Sequence, residues 1–246
     1  HLRNRRQRQM CIRDSLCPGF RNYSGHSEIH WKGQSMSKVL VTGGSGYIGS
    51  HTVLALLQSG KDVIVNDNFS NSSPESLKRV SNICGKSPLV VEGDITDGKK
   101  VGKIFAEHAD ITSVIHFAAL KAVGESTEFP LKYYRNNVSG SVILLEEMQK
   151  AGVKQLVFSS SCTVYGEPKT VPISERFPVG VVSSPYGRTK YVMEGIIEDY
   201  SKSDPDFCCG VLRYFNPIVA HESGEIGEDP HGIPDNLVPF VCQVAL

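Results

Sequence analysis

Six short apolar runs punctuate the chain: KVLVT (38–42), DVIVND (62–67), PLVVEGD (88–94), SVIHFAA (113–119), QLVFSSS (155–161) and CGVLRYF (209–215). Each is rich in Val, Ile or Leu and nearly continuous, as parallel strands covered on both faces should be. Segments of helical periodicity lie between them, near 47–59, 98–109, 128–150 and 184–203. This alternation predicts an α/β domain on a doubly wound parallel sheet over 36–215. Beyond it, GEIGEDPHGIPDNLVPF breaks the rhythm with Gly and Pro. Residues 216–246 are therefore expected to begin a smaller, truncated substrate-binding domain, which stops at QVAL inside a helix. No internal repeat or low-complexity tract interrupts the order.

Residues 1–35 do not share the pattern. They show neither helical nor strand periodicity and hold seven Lys/Arg against two Asp/Glu, a net of +5. The apolar core that a secretory signal needs is missing. An unstructured, non-native leader is expected, with the natural start at Met36. Its Arg-rich, acid-poor composition leaves a transit peptide as the alternative. The remainder carries 19 basic and 24 acidic residues, a balance that asks for no nucleic acid partner. No apolar run approaches the ~18 residues of a membrane span. Seven cysteines with no CxxC pair, two of them adjacent at Cys208 and Cys209 inside an apolar stretch, point to a reduced cytoplasmic setting without a metal site.

Candidate chemistry begins where the first strand of the domain ends. VLVTGGSGYIGSH sets Gly43, Gly46 and Gly49 between a strand and a helix start. In the Rossmann pattern the first glycine allows the tight turn and the second lets the backbone approach a pyrophosphate. The third lets the helix sit close on the strand, and the helix N-terminus then faces the phosphates. Asp67 ends the second strand 18 residues after Gly49. A carboxylate there accepts from the adenosine ribose and repels a 2′-phosphate, which favours NAD over NADP. Asp94 ends the third strand similarly and reads as an adenine contact or a plain turn residue.

SPYGRTK supplies a second element. On a helix, Tyr186 and Lys190 share a face. A phenol of pKa ~10 would need roughly 4 kcal/mol of preference for its anion to titrate near 7. A neighbouring ammonium and a cationic nicotinamide ring can provide that in a partly desolvated cleft, making the phenolate a general base. Taken alone, Y-x-x-x-K is common on helices. SSSCTVYG, ending a strand 25 residues earlier, gives it context. Strand carboxyl ends face the cofactor crevice, so Ser161 is placed to hydrogen-bond a substrate hydroxyl. Ser159 and Ser160 are expected to serve the cofactor or the backbone.

The glycine spacing, Ser161 and Tyr186-x-x-x-Lys190 resemble the extended short-chain dehydrogenase/reductase family. VTGGSGYIGSHTV, HFAALKAVGES, FSSSCTVYGEP, SPYGRTK and LRYFNPIVAHESGEIGEDPHGIP are similar, more narrowly, to its UDP-sugar 4-epimerase branch, from about Lys38 to Leu246. The resemblance implies interconversion of UDP-galactose and UDP-glucose by reversible NAD-dependent oxidation at sugar C4. Tyr186 would take the 4-hydroxyl proton, Ser161 would bond the reacting oxygen, and Lys190 would hold the nicotinamide ribose and lower the tyrosine pKa. It further implies that Gly43, Gly46, Tyr47, Ile48, Gly49, Asp67, Asn68, Asn71, Ser72, Asp94, Ile95, Phe117, Lys121, Asn136, Ser159 and Tyr214 surround NAD. Lys121, Ser161, Phe215, Asn216, Asn236 and Leu237 would contact the UDP-sugar. On the residues alone, Lys121 could equally be a solvent lysine and Asn136 a core cap. A homodimer packed through the helices near 128–150 and 184–203 is implied as well.

The sequence departs from that pattern at Ala119, Cys162 and Val219. Val219 replaces a glycine just after Asn216, where positive φ would strain the loop. The family also continues well past Leu246, so the chain reads as a fragment whose turnover could be poor. Three alternatives stay open. A nucleotide-sugar dehydratase needs an acidic pair after Ser161, where Cys162, Thr163 and Val164 offer none. A simple NAD dehydrogenase would use the same trio but release NADH. A non-catalytic NAD-binding fragment would not need Tyr186 and Lys190.

Overall fold

The computed structural model describes residues 10–12, 37–218, 220–229 and 236–245. Val219, the side chain of Leu237, Met36 and the rest of the leader lie outside the described residues, as do the expectations placed on them. The strands are β1 (Met10–Ile12), β2 (Lys38–Thr42), β3 (Asp62–Asp67), β4 (Leu89–Glu92), β5 (Ile111–His116), β6 (Gln155–Ser161) and β7 (Cys208–Tyr214). The helices are α1 (Tyr47–Gln58), α2 (Pro74–Cys84), α3 (Gly98–Glu107), α4 (Val123–Glu128), α5 (Pro130–Tyr133), α6 (Gly140–Lys150), α7 (Pro185–Ser203) and α8 (Leu237–Ala245).

The strands form one sheet in the order β1-β7-β6-β5-β2-β3-β4. All neighbours from β2 to β7 run parallel, and the order reverses between β2 and β5. This is the doubly wound sheet expected. Successive side chains alternate between its faces. Leu40, Ile64, Val114 and Leu156 pack with α3, α6 and α7. Val39, Val41, Val63 and Val65 pack with α1 and α2. Burial on both faces is confined to the centre of the sheet. The edge strand β4 exposes Leu89 and Val90, and β7 alternates buried and half-buried residues.

Four details differ from the sequence reading. Met10–Ile12 of the leader form a strand antiparallel to β7, with Met10 opposite Tyr214; the outer edge of β7 offers a row of backbone donors and acceptors for it to join. Cys208 is disulfide-bonded, against the expectation of a fully reduced chain, whereas Cys84, Cys209 and Cys242 carry free thiols. Helix α2 was not expected, although its signals are present. Ser73 caps the Glu75 amide at 3.2 Å, Pro74 opens the first turn, and Gly85 closes the helix at φ 68°.

Fourth, the helix expected over 128–150 is broken. Pro130 restarts it as α5, and Tyr134–Ser139 form a turn of π-helix before α6. The π turn is held by Asn137, which is 2% exposed. Its Oδ1 accepts from the Leu120 amide at 2.8 Å, and its Nδ2 donates to the Leu120 carbonyl at 2.9 Å and to Thr189 Oγ1 at 3.2 Å. The turn is thereby pinned to the loop after β5 and to α7.

After β7 the chain returns to the sheet. Ile226 is buried in the α1–α2 side of the core, the Arg79 guanidinium donates to the Glu225 carbonyl at 3.0 Å, and the Tyr47 hydroxyl donates to the Pro217 carbonyl at 3.5 Å. Helix α8 follows with Val238, Phe240, Val241 and Val244 exposed.

Two close-packed features set the geometry of the β2/β5 ends. A Cβ on Gly49 would lie 2.2 Å from the Gly43 carbonyl oxygen and 2.8 Å from Gly44 Cα, so α1 seats directly on the turn. Beside it runs a buried polar chain. Ser141 Oγ donates to the Asn137 carbonyl at 2.6 Å. It can then only accept from His116 Nε2, 2.8 Å away, and His116 Nδ1 in turn accepts from Thr42 Oγ1 at 2.6 Å. Burial, with the Lys190 charge adding to it, pushes the His116 imidazolium pKa down to about 3. The ring is therefore neutral, with its proton on Nε2.

Gly49→Ala is expected to destabilise the fold by about 1–3 kcal/mol, read as a fall in Tm. An unchanged Tm would contradict the packing of α1 on the turn. The unfolded chain protonates His116 near 6.5, whereas the folded chain resists it down to about 3. The unfolded state thus binds more protons in that window, and stability falls as pH drops through it. Urea midpoints measured down from neutral pH should show this decline, and His116→Asn should flatten it.

Candidate active site

The carboxyl ends of β2 and β5 diverge at the reversal of strand order, which opens a crevice in sheets of this type. Gly43 turns the chain there at φ +69°, and a Cβ on it would meet the Ala118 amide nitrogen at 2.6 Å. Gly46 differs: a Cβ there would find only the Gly43 oxygen, at 3.4 Å. It is the N-cap of α1, contributes no capping side chain, and is followed by no acidic residue in the first turn. Ser45 Oγ is buried without a hydrogen-bond partner. Together these features leave donors and open space at a helix N-terminus, an arrangement suited to an anion.

Asp67 closes the same turn and is 6% exposed. Its Oδ2 accepts from the Ser45 amide at 3.0 Å, while Oδ1 accepts from the Phe69 amide at 3.0 Å and the Ser72 hydroxyl at 2.9 Å. The carboxylate is thus fixed in orientation, with acceptor capacity remaining. Phe69 adopts φ 54° to make this loop. Asn68 donates to Asp94 Oδ2 at 2.8 Å, and Thr96 donates to Asp94 Oδ1 through its amide and its hydroxyl. Burial raises the Asp94 pKa, but these bonds outweigh it and hold the carboxyl below its ordinary value. Asn71 is exposed, Ile95 is buried, and Tyr47, Ile48 and Phe117 are half-buried. These residues lie at or just beyond the carboxyl ends of β2, β3, β4 and β5.

The second cluster lies beyond β6. Ser184 caps α7 by accepting from the Gly187 amide at 3.1 Å, and Pro185 opens the helix. Tyr186 therefore sits in the first turn, where its amide donates to Ser126 Oγ at 3.2 Å. Ser161 Oγ accepts from the Thr163 hydroxyl at 3.0 Å and the Thr163 amide at 3.3 Å. Its own proton remains to be donated, and the Tyr186 phenol is near enough for Ser161 to draw its pKa down. The two Thr163 bonds thus orient the Ser161 hydroxyl beside the Tyr186 phenol. Lys190, 4% exposed, donates to the Ser159 carbonyl at 2.7 Å and stands 5.1 Å from the centroid of Phe158.

The protein's own groups keep the phenol neutral. Burial pushes Tyr186 above its ordinary 10; the nearby Ser161 hydroxyl draws it back in part, and the Cys162 thiol adds to the rise. Desolvation dominates among these groups, and the phenol is protonated at neutral pH. Burial also lowers Lys190 to about 8, with the Glu194 charge opposing the drop. Burial raises Tyr214 to about 12.

The remaining positions are less convergent. Asn136 donates to Asn137 Oδ1 at 2.9 Å, inside the π turn. Ser160 serves neither cofactor nor backbone: its hydroxyl donates to Glu194 Oε1 at 2.6 Å. Lys121 pairs with Glu228 at 3.2 Å, and the Asn236 amide donates to the same carboxylate. Phe215 is half-buried and Asn216 exposed. Thr163, Ser126, Asn137, Glu194 and Glu228 were missed from the sequence. Thr163 had a usable signal, since a hydroxyl two residues after a strand-end serine commonly closes a local turn; the others depend on contacts between distant segments.

The sequence pattern of the NAD dependent epimerase/dehydratase family matches residues 39–244. The chain is 59% identical over 208 residues to the UDP-glucose 4-epimerase of Haemophilus influenzae, which covers 85% of this chain and 61% of that protein. It is 56% identical to the Bacillus subtilis enzyme of the same name, with the same coverage. Among solved structures, UDP-glucose 4-epimerase from Bifidobacterium longum in complex with NAD+ and UDP superposes with a TM-score of 0.83 at 51% identity, covering 85% of this chain and 62% of that one. The Stenotrophomonas maltophila UDP-glucose-4-epimerase with bound NAD and formylated UDP-arabinopyranose gives 0.82 at 48% identity, covering 86% and 62%. The chain thus spans about three fifths of the length of these relatives. With its fold, its glycine turn and this match across most of the described sheet, the chain belongs to the NAD dependent epimerase/dehydratase family.

Proposed function

We propose that this chain carries the cofactor-binding and catalytic part of an NAD-dependent enzyme that interconverts UDP-galactose and UDP-glucose at sugar C4. The observation that carries the reading is the Ser161 hydroxyl, oriented by two Thr163 donors beside the Tyr186 phenol, with Lys190 one helical turn farther on. The names of the relatives, at 56–59% identity, support the substrate class. The residues present fit a dinucleotide. The glycine turn leaves open space at Gly46, Ser45 Oγ is buried and unsatisfied, and Asp67 is held ready to accept from a ribose hydroxyl.

NAD, when bound, supplies a hydride acceptor and a positive charge on its nicotinamide ring. Tyr186 then acts as the base for the 4-hydroxyl and returns the proton at the end of the cycle. Ser161 bonds the same oxygen, and its Thr163 donors fix the direction of its proton. Lys190 holds the nicotinamide ribose and adds its charge to the stabilisation of phenolate. Ser159, whose carbonyl anchors the Lys190 ammonium, keeps that charge in place. Lys121, Phe215, Asn216, Asn236 and Leu237 are assigned to the UDP-sugar; Lys121 and Asn236 already converge on one carboxylate, that of Glu228. Residues 216–246 are assigned to the start of the substrate-binding unit.

A homodimer through the helices within 128–150 and 184–203, here α5, α6 and α7, is part of this reading, supported by Phe129 and Leu131, which are 55% and 82% exposed. So is a cytoplasmic setting, supported by the cysteines that lie outside disulfides, with Cys208 as the exception. Among the described residues no helix is long and apolar enough to cross a membrane, and no group of His, Cys, Asp or Glu is arranged to hold a metal ion.

The test is incubation with UDP-galactose and no added NAD, followed by detection of UDP-glucose. It is run on the chain alone and on the chain joined to the carboxyl-terminal remainder of the Haemophilus relative. Tyr186→Phe should lower turnover by about 10²–10⁴-fold while NAD affinity stays unchanged; full turnover in that variant rules out the base. Gly46→Ala meets nothing closer than 3.4 Å within the protein, so its Tm should match the native chain while NAD binding weakens. Native affinity in a folded Gly46→Ala chain would place the dinucleotide elsewhere.

A further inference from the structure

Behind the candidate site lies a buried ion pair with no part in the chemistry above. Glu194 is 3% exposed and Arg213 1%. Arg213 Nε donates to Glu194 Oε1 at 2.9 Å and Nη2 to Oε2 at 2.6 Å, a bidentate pair. Arg213 Nη1 donates to the Tyr165 hydroxyl at 2.9 Å, with its guanidinium carbon 4.8 Å from that ring's centroid. Ser160 adds a third bond to the carboxylate.

The attachments of this cluster are specific. Ser160 precedes Ser161 on β6. Arg213 precedes Tyr214 on β7. Tyr165 closes the short helical turn Cys162–Tyr165 that follows Ser161. Glu194 lies one turn after Lys190 on α7, on the same face. One carboxylate therefore joins the strand that presents Ser161, the turn that orients it, and the helix that presents Tyr186 and Lys190. Burying two charges costs several kcal/mol, and well-packed apolar residues hold such interfaces as well or better. Stability alone does not account for an ion pair at this position.

We propose that Glu194 is a positioning residue for the Ser161–Tyr186–Lys190 site, fixing β6 against α7 through Ser160 and Arg213 and supplying the counter-charge that keeps Lys190 an ammonium. The inference rests on the function proposed above only for the roles of those three residues. Around Lys190, α7 contributes Glu194 and Tyr186, β5 contributes His116, β6 contributes the Ser159 carbonyl and the Phe158 ring, and β7 contributes Arg213 behind Glu194. His116 and Tyr186 are uncharged at neutral pH, so Glu194 is the anion of this group. Its charge opposes the burial that lowers Lys190.

The decisive variant is Glu194→Gln with Arg213→Met, which removes both charges at similar volume and leaves no lone buried ion. The chain is labelled with 13C at lysine Cε, and the Lys190 signal is titrated without cofactor or substrate. This reading is independent of turnover, so its failure is distinct from failure of the proposed function. The native midpoint is expected near 8 and the double variant's below it, with Tm close to native. An unchanged midpoint in the folded double variant overturns the counter-charge role. Glu194→Asp alone keeps the charge but withdraws it by one methylene. Its midpoint is expected between the other two, and a value equal to native overturns the same role should the double variant fail to fold. At a pH about two units below each variant's own measured midpoint, Lys190 is protonated in every variant. There the positioning role predicts a loss in kcat of about 10²-fold with little change in KM, and native kcat at that pH overturns it.

Discussion

No side chain fits between the turn after β2 and the backbone that leaves β5. The Gly43 position already stands 2.6 Å, at its notional Cβ, from the Ala118 nitrogen, and the Gly49 position is closer still to the Gly43 oxygen. Three backbone segments therefore meet where the strand order reverses. That contact sets where α1 begins, which way its N-terminus points, and how near the Asp67 loop comes to it. The second cluster hangs from the same junction. His116 at the end of β5 bonds Thr42 at the end of β2, and through Ser141 it reaches the π turn that Asn137 pins to α7. Hydrogen bonds thus run from the glycine turn to the helix of Tyr186 and Lys190.

Charge in this interior is sparingly distributed. His116 is neutral, Tyr186 is protonated, and Glu194, bonded to Arg213, offsets the Lys190 charge only in part. Lys190 is the buried cation on the Tyr186 side of the crevice, anchored on a carbonyl and an aromatic face. A neutral phenol with a poised ammonium suits a base that is generated only when a further positive charge arrives. Without that further charge a phenolate would be a desolvated anion with only the Lys190 ammonium to offset its burial.

Much of the architecture was legible in the chain because it follows from local rules. Continuous Val/Ile/Leu runs marked the central strands, and the strand–turn–helix around Gly43 to Gly49 marked the phosphate end. Ser184 and Pro185 fixed the start of α7, and so the common face of Tyr186 and Lys190. The losses have equally definite causes. Helix α2 buries only Leu77 and Val80, too thin an apolar stripe to stand out despite its Ser73, Pro74 and Gly85 punctuation. The 128–150 helix was drawn whole because periodicity does not register the extra residue of a π turn. Asn137, His116 and Glu194 gain their roles from partners 17 to 74 residues distant, from Leu120 for Asn137 to Thr42 for His116, and no spacing rule reaches so far.

The edge strand β4 has a consequence for how the molecule behaves in company. Its outer side presents unpaired backbone groups flanked by Leu89 and Val90, 47% and 42% exposed. Such a border can recruit a strand from another molecule. Here it is only four residues long, with Pro88 at one end, Glu92 at the other and Gly93 just past it. A template so brief, closed off by an imide that cannot donate and by a charge, discourages the stacking of copies into fibrils.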